Sequence, residues 1–387
     1  MKMLFVTHKY PPSVGGMENH CFHLYEGIKD KINTVMLRLP DGKSRVWWLL
    51  TLSRQVRKIL QNDADINCVY FHDGLSGLAC RNVKKYSSAK TFVTFHGLDV
   101  VYPLGIYQRR IRDNLQNNID AVIPVSAATG KECVRRGAAP KNVRVVPNGV
   151  DTALANIPKD KEFIGRLEKR LGISLKGKKI IVSTGRSVKR KGFSWFIKNV
   201  LPKLDSNIVY IIAGPREKGY GLKQFFLRLL PKKAARLIWL TGVGIDQYAI
   251  DKALSSPEIK GRAFHIGKVP FDDLVQLLFA SRAFVMPNIH VEGDAEGFGL
   301  VALEAAMCGT AVLAANLEGI TEAIHNGKNG ILLETENPAV WAQAVNEICA
   351  KDAMRNKLAA AAPEYTKKHF SWEKMAAGYL NIFTGNA

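Results

Sequence analysis

Short β-rich apolar runs alternate with longer amphipathic ones along the first part of the chain. Residues 3–7 (MLFVT) are followed by an amphipathic stretch over 18–29, and further apolar runs occupy 67–72, 91–95, 121–125 and 143–146, with a helical pattern over 127–136. Period-2 or continuous apolar runs alternating with 3.6-period stretches predict βα units and a mostly parallel sheet. The turn-forming segment PNGVD, residues 147–151, closes this series and leads into a polar, lysine-rich stretch. A second series follows, with strands expected at 179–183, 208–213, 238–241, 262–266, 283–286 and 311–314. The pattern therefore predicts two doubly wound halves, each binding ligands beyond the carboxyl ends of its strands, so that facing halves would line a cleft with their post-strand loops.

Length agrees with two halves. The chain has 387 residues, beyond the roughly 250–300 at which a single core stops growing. A hydrophobic content of 47% with 9% aromatics describes a globular protein. The opening MKMLFVTHKYPP is too short an apolar run for a signal peptide, and nothing approaches the ~20 apolar residues of a membrane span. Cys21, Cys68, Cys80, Cys133, Cys308 and Cys349 are widely spaced with no C-x-x-C pair, so reduced thiols in a cytoplasm are the expectation. Charge adds a partner class: 55 Lys plus Arg against 34 Asp plus Glu gives +21, which calls for an anionic partner such as nucleic acid, acidic lipid or a phosphorylated small molecule.

The candidate chemistry lies in post-strand loops. In PNIHVEGDAEGFGLVALEAAMCGTAVLA, residues 287–314, Glu296 sits in a loop and Glu304 about one turn inside the following helix. A helix N-terminus suits a phosphate, and two carboxylates there could accept hydrogen bonds from sugar and ribose hydroxyls on either side. The plainer alternative is a solvated loop charge and a charge complementing the helix dipole. A metal held by the alternating Glu292, Asp294 and Glu296 is a weaker option, because no His or distant carboxylate stands at ligand spacing.

In GRSVKRKG, residues 185–192, four cations follow the strand KKIIVS. A diphosphate would neutralise them, with bidentate acceptors for Arg186 and a point charge at Lys191; a solvated basic loop is the alternative. Gly15 and Gly16 precede a helix and offer backbone N–H groups, and His96 ends a strand in TFHGLD. Asp63 and Asp65 form a D-x-D that precedes a strand, and it reads as a solvated turn.

These features resemble the retaining GT-B glycosyltransferases of glycosyltransferase family 4, over nearly the whole chain. The most specific part is Glu296-GFGLVAL-Glu304 with the turn around Gly309; Gly15 and Gly16, His96 in FHG, Ser126 after AVIPV, the PNGVD hinge, Arg186 and Lys191 support it. The resemblance implies a GT-B α/β fold of two Rossmann-like doubly wound domains facing across a cleft. Residues 1–150 would form the acceptor-side domain and 151–369 the nucleotide-sugar domain, while 370–387, with Ser371 as N-cap, would form a terminal helix folding back on the first domain. It implies that Arg186 and Lys191, with Gly15 and Gly16, hold the donor diphosphate and that Glu304 holds the ribose. Glu296 would hold the sugar hydroxyls with His96 on the other face, Phe298, Gly299 and Leu300 would give backbone contacts, and backbone near Val269 would frame the base. The HVEGD insertion before Ala295 departs from the simplest form of the motif, so the donor sugar does not carry over.

The reaction so implied is retaining transfer from a UDP- or GDP-linked sugar, with no metal or other cofactor. The departing phosphate oxygen would take the acceptor's proton on the same face. The acceptor expected is a glycan or lipid-linked molecule in lipopolysaccharide, capsule or other cell-surface polysaccharide assembly. Residues 43–60 interleave Lys43, Arg45, Arg54, Arg57 and Lys58 with Trp47, Trp48, Leu49, Leu50 and Leu52. A second such stretch covers 222–240, and Arg109, Arg110 and Arg112 cluster nearby in the first half. They suggest a peripheral protein on the anionic cytoplasmic face of the inner membrane; amphipathic core helices with basic outer faces are the alternative. An epimerase or hydrolase of the same fold is the rival enzyme reading. A nucleic-acid-binding protein is the other rival, but no recognised module is visible, and no nucleic-acid partner is expected.

Overall fold

The computed structural model describes residues 1–13, 15–216 and 246–385. Two compact units emerge: Met1–Gly149 with Ala295–Phe298 and Phe370–Ala387, and Val150–Asp294 with Gly299–His369.

The first unit holds a sheet of β1 (Lys2–Thr7), β2 (Asn33–Arg38), β3 (Ile66–Phe71), β4 (Lys90–Phe95) and β5 (Ala121–Pro124) in the order β2-β1-β3-β4-β5. All its ladders are parallel. Continuous apolar runs make such strands because helices cover both faces, and Met3, Leu4, Phe5 and Val6 of β1 are all inaccessible. β2 escapes the sequence pattern because it is a half-exposed edge strand, NTVMLR, with polar ends. Residues 143–146, expected as a strand, form only an isolated bridge between Val143 and Val122. Pro147 ends the run at once, and Val145 faces solvent.

The second unit holds β6 (Lys179–Thr184), β7 (Ile208–Ala213), β8 (Ala263–Gly267), β9 (Ala283–Met286), β10 (Ala311–Ala315) and β11 (Ile331–Leu333). Their order is β11-β10-β9-β6-β7-β8, again with parallel ladders. The short β11 is another edge strand that periodicity misses. The strand expected at 238–241 and the basic stretch at 222–240 lie outside the described residues.

Strand order locates the sites. In the first sheet the chain runs from β1 outward to β2, then returns to the other side of β1 with β3. In the second it runs β6, β7, β8, then returns beside β6 with β9. At such reversals the adjacent post-strand loops part and leave a crevice where ligands bind. The reversals fall between the loops after β1 and β3 and between those after β6 and β9.

The terminal helix Trp372–Thr384 belongs to the first unit. Ser371 caps it, its hydroxyl accepting from the Lys374 N–H at 3.2 Å. Met375, Tyr379 and Phe383 join the core around Phe5, Cys68 and Tyr70. Helix Arg45–Asn62 separates the two tryptophans expected to act together. Trp48, Leu52, Val56 and Leu60 point into the core, whereas Trp47 is 71% and Leu50 69% exposed. The helical period of 3.6 sends adjacent residues about 100° apart, so only one of the pair can face outward. Asp63 follows this helix in an ion pair with Lys2 at 2.6 Å, consistent with a turn.

Candidate functional site

In the second unit the cationic loop after β6 is laced to the loop after β9. Gly192 has φ of +68°, and a Cβ there would come within 1.9 Å of the Pro287 carbonyl oxygen, so only glycine permits this approach. The Ile289 N–H donates to the Arg190 carbonyl at 3.0 Å. The Arg190 guanidinium donates to both carboxylate oxygens of Asp294 at 3.2 and 3.0 Å, with side chains 14% and 7% exposed. The HVEGD insertion thus supplies an internal counter-charge, and Asp294 takes Arg190 in place of the cation considered for Glu292, Asp294 and Glu296. Lys191 is buried, while Arg186 on the same loop is exposed.

Helix Leu300–Met307 begins after Gly299, and Glu304 lies just over one turn inside it. Glu304 is half-buried, and the loss of water around its carboxyl pushes its pKa up to about 7. Leu300 is half-buried at the helix start, and the half-buried Val269 lies in the loop after β8. Arg186, Lys191, Gly299, Leu300, Glu304 and Val269 all belong to this one unit.

The first unit gathers Gly15, Gly16, His96, Glu296 and Phe298. Gly15 and Gly16 open helix Gly16–Ile28, and Glu18 in its first turn pairs with Lys9 at 3.0 Å. His96 follows β4, and its backbone N–H donates to Asp99 Oδ1 at 2.8 Å while the Gly74 N–H donates to Asp99 Oδ2 at 3.1 Å. The His96 side chain donates from Nε2 to the His72 carbonyl at 2.9 Å. A carbonyl has no proton to give, so Nε2 carries the hydrogen and Nδ1 of the neutral ring is an acceptor. Gly297 packs directly on this corner, since a Cβ there would lie 1.9 Å from the His96 carbonyl oxygen. Glu296 is therefore held at the backbone of His96. Phe298 is buried and edge-packed on Phe370, with ring centroids 6.0 Å apart.

Around His96 lie residues that the sequence reading did not single out. His72 directly follows β3 in a Phe-His step that repeats the one before Gly97, and this repetition was the available signal. His72 Nε2 lies 3.0 Å from His20 Nδ1, and His20 Nε2 lies 3.2 Å from the Tyr379 hydroxyl. Burial, reinforced by neighbouring imidazoles, keeps both His20 and His72 well below the ordinary histidine range and so uncharged at neutral pH. Asp73 caps helix Gly74–Ala79. Burial opposes its charge, yet His8 at 3.1 Å and hydrogen bonds from Ser76 hold its pKa at about 2. Among the described residues, His20, His72 and His96 form a group spaced for a metal ion, each offering a nitrogen within 4.8 Å of the others. Ser126 serves its own helix as N-cap, accepting from the Thr129 N–H at 3.0 Å.

Comparison with known proteins adds an independent finding. The family model described as Glycosyl transferases group 1 matches residues 166–365, and that of Glycosyltransferase Family 4 matches residues 14–154. A D-inositol 3-phosphate glycosyltransferase of Nocardioides is 29% identical over 253 residues, covering 64% of this chain and 49% of the relative. The chain thus spans about half the length of that relative. An uncharacterized glycosyltransferase of Methanocaldococcus jannaschii is 23% identical over 99% of this chain and 98% of its own. The crystal structure of Anabaena HepE with UDP-glucose superposes with a TM-score of 0.76 over 100% of both chains at 17% identity, a likeness of fold.

Proposed function

The chain belongs to the glycosyl transferases group 1 family and has the GT-B fold of two parallel-sheet α/β domains, and on that premise we propose that it is a retaining transferase of nucleotide-diphosphate sugars. The observation that carries the reading is the second unit's β6/β9 reversal, where the loop after β6 meets the loop after β9. There a cationic loop bearing Arg186 and Lys191 shares one domain with the helix that starts at Gly299 and carries Glu304. In this reading the cations and the helix N-terminus hold the donor diphosphate, joined by the backbone of Gly15 and Gly16. Glu304 accepts from the ribose, Leu300 and Gly299 offer backbone to the sugar, and Val269 frames the base. Glu296 and His96, with Phe298 behind them, take the sugar hydroxyls. That HepE was crystallised with UDP-glucose supports a nucleotide sugar as partner, UDP- or GDP-linked.

Cleavage of the glycosidic C–O bond passes through an oxocarbenium-like state. Arg186 and Lys191 stabilise the leaving diphosphate, and the reading assigns no metal or other cofactor to the step. The acceptor hydroxyl attacks the anomeric carbon on the face the diphosphate leaves, and its proton passes to the departing phosphate oxygen. Glu296 orients the sugar and stays unbonded to it. The acceptor class is a glycan or a lipid-linked molecule of cell-surface polysaccharide assembly, reached from an anionic inner-membrane surface. Among the described residues no helix is long and apolar enough to cross a membrane, so the attachment proposed is peripheral.

The test is a panel of nucleotide sugars, each incubated with and without glycan and lipid-linked acceptors. Acceptor-dependent release of nucleotide with retained anomeric configuration supports the reading. Equal release without any acceptor would make the chain a hydrolase or epimerase of the same fold.

A further inference from the structure

Behind His96 stand two further histidines, His20 and His72, that sugar binding does not use. His20 comes from helix Gly16–Ile28, while His72 directly follows β3 and His96 directly follows β4. Their ring centroids form a nearly equilateral triangle with sides of 5.1, 5.1 and 4.9 Å. His20 and His72 are inaccessible and His96 is half-exposed, so the triangle has one open corner.

His96 already shows the arrangement that metal-ligating histidines have, in which the nitrogen away from the ion donates to a fixed oxygen, and His20 adopts it in the tautomer that donates to Tyr379. His96 donates from Nε2 to the His72 carbonyl, which leaves Nδ1 with its lone pair. His20 Nε2 faces the Tyr379 hydroxyl at 3.2 Å, and that hydroxyl is itself held by Thr94 at 2.9 Å, with Tyr70 beyond at 2.8 Å. The remaining ligand atoms, His20 Nδ1 and His72 Nε2, stand 3.0 Å apart. The edge of a tetrahedral nitrogen set is about 3.3 Å when zinc–nitrogen bonds are ~2.0–2.1 Å, so little movement brings both to one ion. One proton now bridges that pair. When it sits on His72 Nε2 it moves to His72 Nδ1, which is buried with no hydrogen-bond partner. When it sits on His20 Nδ1 it moves to His20 Nε2, which then donates to Tyr379, so in either case it stays on the same ring by a change of tautomer. The carboxylates of Asp73 and Asp99, both next to these strand ends, supply negative charge close by.

We propose that His20, His72 and His96 form a site for one divalent cation of the zinc class, bound by three imidazoles with water or hydroxide at the open corner. Borderline ions that favour imidazole, such as zinc, nickel and copper(II), fit this all-nitrogen set, whereas magnesium and calcium do not. Because the third ligand is His96 Nδ1, the ion and the donor sugar compete for one lone pair. That consequence, and only that one, rests on the function proposed above. The site would make zinc-class ions inhibitors competitive with the donor.

Cobalt(II) is the probe, titrated into the metal-free full-length protein. The expected result is one ion per chain with the strong visible absorption of four-coordinate cobalt, displaced by zinc. His96→Gln, at the half-exposed corner, should weaken zinc binding at least 100-fold. Tyr379→Phe keeps all three ligands and the aromatic packing, and should weaken zinc about 10-fold through the lost support of His20. Weak six-coordinate absorption in the wild type, or equal binding by wild type and His96→Gln, overturns the site. Binding as described but without competition against the donor leaves the site standing and counts against the sugar contact of His96.

Discussion

Arg190 and Asp294 join the loop after β6 to the loop after β9 through two hydrogen bonds of 3.2 and 3.0 Å in a largely dehydrated setting. The bridge is formed by the residue before Lys191 on one loop and the last residue of HVEGD on the other, so it braces the two loops of the second unit against each other. Asp294→Ala removes the bidentate partner of Arg190 in that setting, and breaking such a pair costs up to about 3–5 kcal/mol. Urea denaturation should show a loss of that order, with a donor KM raised roughly 10-fold and kcat less affected. Replacing both partners by apolar residues should restore much of the stability and none of the donor affinity. An Asp294→Ala variant with wild-type urea midpoint and donor KM would falsify the bracing role.

The ribose role proposed for Glu304 predicts that donor binding depends on pH. Its carboxyl ordinarily titrates at 4.5, and burial raises it to about 7 in the folded protein. A raised pKa means that the fold favours the protonated form. The free protein should therefore lose stability as pH rises from about 4.5 to 7, with the loss complete above that range. If Glu304 accepts from the ribose hydroxyls as proposed, it must do so as the carboxylate, so nucleotide binding should release a proton near pH 6–7 and tighten as pH rises through 7. Calorimetry in buffers of different ionisation enthalpy reads the proton directly. Glu304→Gln should flatten the stability profile, abolish the release and weaken nucleotide binding.

Glu296 and Gly297 test the sugar side separately from the nucleotide side. Glu296→Ala should collapse turnover while leaving nucleotide affinity nearly intact. Gly297→Ala adds one methyl group where 1.9 Å separates it from the His96 carbonyl oxygen, so the Glu296 segment must shift away. A displacement near 1 Å costs about 10²-fold in rate. Titration with free UDP and GDP beside steady-state kinetics checks both variants, and Glu296→Ala with wild-type turnover removes that residue from the site.

Much of this arrangement is legible from pattern because its determinants are local. Apolar runs such as IVYIIA of β7 can only be buried strands, and Glu296 and Glu304 are separated by a helix start visible in the chain. Edge strand β2 is hidden because its partly exposed, polar-ended run NTVMLR erases the apolar contrast, and β11 because its three residues are too short to show a period. The Arg190–Asp294 bridge joins positions more than a hundred residues apart, and the His20–His72 contact joins a helix to the end of a strand 52 residues away. Those partners depend on which strands become neighbours, and periodicity carries no information about neighbours. The Trp47–Trp48 pair fails as a paired membrane anchor for the opposite reason: the helical period itself, once applied residue by residue, sends one ring inward.

That split gives the membrane proposal a discriminating test. Val46, Trp47 and Leu50 are 63%, 71% and 69% exposed on helix Arg45–Asn62, with Arg54, Arg57 and Lys58 exposed on the same helix. Helix Gly105–Asn117 adds exposed Ile106 beside exposed Arg109, Arg110 and Arg112. Each cation near an anionic surface contributes about 1 kcal/mol, and apolar side chains entering the headgroup boundary add to this. Co-sedimentation with anionic vesicles should therefore exceed that with neutral ones and fall as salt rises. A Trp47→Ser, Leu50→Ser double variant should lose vesicle binding with urea stability unchanged. Trp48→Ala should do the reverse, costing about 3–5 kcal/mol of stability as its core position empties and leaving the vesicle affinity of the folded fraction intact. If both variants bind vesicles like wild type, or if neutral vesicles bind equally well, the exposed face of this helix is solvated surface and the acceptor must be reached by another route.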